Sequence, residues 1–123
     1  MKARSILALS LLLATLALPL LANKSAASIE APAAVKAGEE ATIIVNVSHR
    51  GNSSLHYTNR LVVKANGKEV ARWNFSPGNR PESENFSREV KLKIEAETEI
   101  VAESNCNLHG SAGPSTVRIK IAE

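Results

Sequence analysis

The chain has 123 residues, with 15 lysines and arginines against 12 acidic residues and a formal charge of +3. Every acidic residue is a glutamate, which excludes a Ser-His-Asp hydrolase, and no polybasic run is present to grip nucleic-acid phosphates. One tryptophan, one tyrosine and two phenylalanines leave the core of a single domain of about 100 residues to Val, Ile, Leu and Ala.

The first segment reads as a secretory signal peptide. Met1, Lys2, Ala3 and Arg4 make a positive start, residues 6–18 form a leucine-rich apolar run, and Pro19 ends it. The apolar run is short for a bilayer span, which needs roughly 20 residues. Small residues follow, placing cleavage after Ala22 or as late as Ala27. The expectation is an exported, periplasmic protein with no membrane segment after processing. Removing Lys2 and Arg4 brings its charge close to balance. The folded domain is expected over residues 28–123.

The rest reads as strands and turns. Residues 42–47 are β-branched and follow a turn at Ala37-Gly38. Residues 60–64 and 69–73 flank Asn66-Gly67, a tight-hairpin signal. Val90, Leu92 and Ile94 alternate with Glu89, Lys91 and Lys93, so one face is buried and the other wet. Residues 98–102 make a further strand, and Val117, Ile119 and Ile121 alternate with Arg118 and Lys120 in a last one. Short strands at this spacing, without a helical pattern, predict an all-β, immunoglobulin-like sandwich of about seven strands.

Three histidines and one cysteine carry the chemistry. His49 and His56 bracket the loop at residues 50–55, and His109 follows Cys106 by three positions. Loops at one end of a sandwich converge, so these residues can share a site. An unpaired cysteine in an exported protein is liable to oxidation unless buried or bound to a metal. A thiolate with imidazoles suits iron, copper or zinc, whereas magnesium and calcium take oxygen ligands. Read from the residues alone, an inert buried cysteine and ordinary loop histidines remain alternatives, as does only one loop histidine facing inward.

The segments Ser28-Ile29-Glu30-Ala31-Pro32 and Val35-Lys36-Ala37-Gly38-Glu39 resemble the start of the iron domain of desulfoferrodoxin and neelaredoxin, the superoxide reductases. His49 and His56-Tyr57 are similar to that family's paired histidines, and Cys106-Asn107-Leu108-His109-Gly110 to its C-terminal motif. The resemblance implies an immunoglobulin-like barrel holding a mononuclear non-haem iron, with Cys106 axial and His49, His56 and His109 equatorial. It implies reduction of superoxide to hydrogen peroxide, with electrons from a donor protein, and allows a homo-oligomer. Lys24 matches a family lysine and is the candidate catalytic residue, attracting the anion; Arg50 is a substitute. Backbone N–H groups of residues 108–110 are expected to tune the thiolate.

The sequence departs from the family at Ser25, where a fourth histidine is expected, and at Arg50, where proline is. His49 and His56 also stand one residue further apart than usual. Three imidazoles and one thiolate leave an iron site to be completed by water or backbone, or else suit a closed tetrahedral zinc site. A cupredoxin-type copper protein is the competing redox reading, with Cys106 and His109 near the C-terminus, although Pro114 stands where its methionine would fall. A non-enzymatic metal-binding or partner-binding sandwich is the third.

Overall fold

Strict alternation builds the fold, as shown in a computed structural model that describes residues 23–123; the expected signal peptide lies outside the described residues. In β3 (Glu39–Ser48), Ala41, Ile43, Val45 and Val47 are buried while Thr42 and Ser48 are exposed. The pleat sends successive side chains to opposite faces, and β-branched residues suit that half-buried surface. β3 pairs antiparallel with β1 (Ala26–Glu30) on one side and β6 (Phe86–Ile94) on the other, in a sheet of order β1-β3-β6.

The second sheet has five strands: β2 (Ala34–Val35), β4 (Thr58–Ala65), β5 (Lys68–Asn74), β7 (Thr98–Cys106) and β8 (Ser115–Ile121). Their order is β2-β8-β7-β4-β5, with β2 and β8 parallel and the other pairs antiparallel. The core lies between the sheets. Ile43 and Val45 from the first meet Leu61, Val63, Ile100 and Ile119 from the second, all fully buried. Burying each such side chain stabilises the fold by roughly 1.5–3 kcal/mol.

The expected sandwich is present, with eight strands among the described residues where about seven were predicted. The strands that the pattern did not single out are β1 and β2, the latter two residues long and too short to carry a pattern. The hairpin turn falls at Asn66-Gly67 as expected: both have positive φ, 50° and 79°, as a type I′ turn requires. Among the described residues no helix is long and apolar enough to cross a membrane.

The chain pairs earlier than residue 28. Ala26 and Ala27 lie opposite Ser48 and Val47 in β1, and Ser25 bridges Ser111. Cleavage after Ala27 would remove these pairings together with Ser25, which is fully buried.

Candidate metal centre

The alternation that fills the core also delivers the site residues. His49 continues the inward series Ala41, Ile43, Val45 and Val47 just beyond β3, and is 3% exposed. Cys106 closes the inward series Thr98, Ile100, Ala102 and Ser104 of β7, and is 2% exposed. The β4–β7 register shifts between Thr58 and Arg60, placing Thr58 opposite Cys106. Without that irregularity, the inward positions Leu61 and Val63 would be preceded by Asn59. The extra residue turns Thr58 inward instead, as bulges beside functional sites do.

Two loops complete the cluster. The β3–β4 connection turns tightly at residues 53–56, with Ser53 and His56 exchanging backbone hydrogen bonds of 2.8 and 3.2 Å. After β7, Cys106 and Gly110 exchange a pair at 2.8 and 3.0 Å, closing a short turn around His109. Asn107 ties the loops together: its Oδ1 accepts from Tyr57 N at 2.9 Å and its Nδ2 donates to Leu55 O at 3.1 Å. Gly51 lets His56 pack. A Cβ there would lie 2.7 Å from the His56 Cε1 and closer still to its Nδ1.

The ligating atoms of His49, His56 and Cys106 all lie within 4.8 Å of one another. His109 Nδ1 is 3.3 Å from His56 Nε2 and 3.9 Å from Cys106 Sγ. The four predicted ligands thus meet at one end of the sandwich, and both loop histidines take part. His49 Nδ1 contacts the Thr58 hydroxyl at 3.2 Å, whereas its Nε2 is buried without a hydrogen-bond partner among the described residues. A buried ring nitrogen without a partner, beside a thiol and two imidazoles, has the surroundings of a metal ligand. The donor set therefore fits a mononuclear metal.

Electrostatics agree with that fit. Burial, and next the positive field of His56, hold the pKa of His49 below the usual 6.5, outweighing backbone contacts to Gly51 and Asn23 and the pull of Glu84. His49 is therefore neutral at physiological pH, the form that binds metal. The His109 N–H donates to Cys106 Sγ at 3.4 Å, so of the expected residues 108–110 this one contacts the sulfur.

Ser25 and Lys24 complete the neighbourhood. The Ser25 hydroxyl is hydrogen-bonded to Thr58 at 2.9 Å and Ser104 at 2.8 Å, so it is not free to act as a ligand. Its backbone bonds Gly110 O and Ala112 N, which holds the preceding Lys24, exposed, at the end of the sandwich that carries the ligands. Arg50 is exposed on the histidine loop. Thr58, Asn107 and Gly51 are the residues that sequence reasoning missed. The signal for His49 was present in the sequence, since it stands two positions past Val47 on the same face.

Similarity to known proteins points the same way. A neelaredoxin superoxide reductase from Ignicoccus hospitalis superposes with a TM-score of 0.67 at 25% identity, covering 80% of this chain and 82% of that one. A Thermotoga maritima protein described as a superoxide reductase gives 0.62 at 24% identity, covering 80% and 86%, and shares the fold. The sulfur carrier SoxY of Chlorobium limicola, at 12% identity and 0.56 over 90% and 96%, shares the fold alone. No curated protein matches the sequence. The family model described as Desulfoferrodoxin matches residues 21–111, a span that holds His49, His56, Cys106 and His109. This chain belongs to the desulfoferrodoxin family.

Proposed function

We propose that the chain is an exported iron protein that reduces superoxide to hydrogen peroxide, with His49, His56, His109 and Cys106 holding the ion. The observation that carries this reading is the convergence of one thiolate and three imidazoles within a few ångströms, in a chain of this family. The similar neelaredoxin is a superoxide reductase, which supports superoxide as the substrate. Ferrous iron, when bound, supplies one electron to superoxide, which takes up two protons and leaves as hydrogen peroxide.

The chain's own residues do the rest. Cys106 is a strong electron donor to a metal when ionised, and the His109 N–H moderates its charge. Neutral imidazoles add no negative charge that would repel an anion. Lys24 and Arg50, both exposed, attract superoxide, an effect that weakens with added salt. His109 is itself exposed, so water reaches the site edge and delivers protons. An electron donor protein returns the electron at that same exposed edge.

A second reading rests on Ser25. With its hydroxyl engaged by Thr58 and Ser104, the site offers four protein ligands, the number a closed zinc centre takes. Metal content and the optical spectrum of anaerobically purified protein, before and after oxidation, separate the two. One iron per chain with a visible thiolate band on oxidation supports the redox proposal. Zinc makes the centre structural, and an intense blue copper band makes it an electron-transfer site.

A further inference from the structure

We propose that Thr58 and Ser25 are positioning residues that lock His49 in the tautomer whose Nε2 lone pair faces the metal site. The significance of this for metal binding rests on the function proposed above; the tautomer itself follows from counting protons. A hydroxyl has one proton to donate. Ser25 donates its proton to Ser104 Oγ at 2.8 Å. The 2.9 Å bond between Ser25 and Thr58 must then use the proton of Thr58. With that proton engaged, Thr58 is the acceptor in its 3.2 Å contact with His49, and His49 Nδ1 carries the N–H.

A neutral imidazole has one ring proton, so Nε2 is left with its lone pair. That atom is the one buried without a partner beside His56 and Cys106. The opposite tautomer places an N–H at buried Nε2, which makes no hydrogen bond among the described residues, and sets a Nδ1 lone pair against a hydroxyl whose proton is already engaged. Ser25, Ser104, Thr58 and His49 are all between 0 and 3% exposed, so bulk water does not compete for the hydrogen bonds among them. The chain runs in one direction, from imidazole to threonine to serine to serine. Ser25 is thus tied to the site through two hydrogen bonds rather than by ligation.

Nitrogen-15 NMR of the metal-free protein at neutral pH tests this. The expected result is a protonated Nδ1 and a bare Nε2 at His49. Ser25→Ala frees the Thr58 proton to turn toward Nδ1, and should move His49 toward the Nε2–H form without touching the ring. Thr58→Val should mix the tautomers and lower cobalt(II) affinity about tenfold to a hundredfold, the usual cost of losing an outer partner of a ligating histidine. Thr58→Ser should restore both readouts. A merely structural role would lower stability and leave the nitrogen shifts in place. An Nε2–H tautomer in the unaltered protein, or unchanged shifts in both Thr58→Val and Ser25→Ala, would overturn the proposal. If the unaltered protein takes up no cobalt, the metal reading fails, and the NMR result still decides the positioning claim.

Discussion

Replacing Gly51 with alanine should weaken metal binding by displacing one ligand that it does not itself supply. The new Cβ would sit 2.7 Å from His56 Cε1 and 3.0 Å from its Cγ. Carbon atoms prefer about 3.5–4.0 Å, so the ring must retreat by about 1 Å. Metal–ligand distances tolerate only about 0.2 Å, and a shift of that size removes His56 from the shared position. Cobalt(II) affinity should fall by at least about tenfold, as for other perturbed ligand shells. The backbone adds strain, since φ at Gly51 is +155°; such conformations cost about 1–3 kcal/mol for a side-chain-bearing residue. Gly67→Ala is the control. It also has positive φ, but nothing lies within 4 Å of its added Cβ, so it should lose about 1–2 kcal/mol of stability and keep its metal affinity. Cobalt titration and urea unfolding of both variants separate strain from displacement. Full affinity in Gly51→Ala, or equal loss in Gly67→Ala, would refute the reasoning.

Cys106→Ser should abolish the visible thiolate band of the oxidised iron form, and an unchanged spectrum would remove Cys106 from the ligand set. Asn107→Ala breaks the hydrogen bonds to Tyr57 N and Leu55 O. It should cost about 1–3 kcal/mol in urea unfolding and lower cobalt affinity as the two ligand loops part; unchanged values would show that the clamp is dispensable. Mass spectrometry of exported protein should find the mature chain starting at Asn23. A start at Ser28 would mean that the domain folds without Ala26 and Ala27 of β1 and without the Ser25 hydroxyl.

The legible parts of the fold were those with a period or a fixed turn. Val90, Leu92 and Ile94 announce a half-buried strand, and Asn66-Gly67 demands a type I′ turn that few other residue pairs adopt. The Cys106-to-His109 spacing was legible because sulfur and imidazole must be close to bind one ion. Thr58, Ser104 and Asn107 gave no such signal. Their roles depend on a register that sets Thr58 against Cys106 and on the irregularity beside it, and one isolated threonine carries no trace of either. Gly51 was hidden for a similar reason, because only the placed ring of His56 shows that a side chain would not fit. β1 was read as family resemblance rather than as a strand; its five residues have too little alternation to stand out beside the apolar leader.

The reaction of the iron-loaded ferrous protein with a radiolytic pulse of superoxide, with peroxide and dioxygen both counted, tests the central claim most directly. The account predicts one hydrogen peroxide for each superoxide consumed, no dioxygen released, one iron oxidised per event, and a rate that falls as salt is added. Superoxide that disappears at its rate in buffer alone, or that yields dioxygen with peroxide as in dismutation, would contradict it.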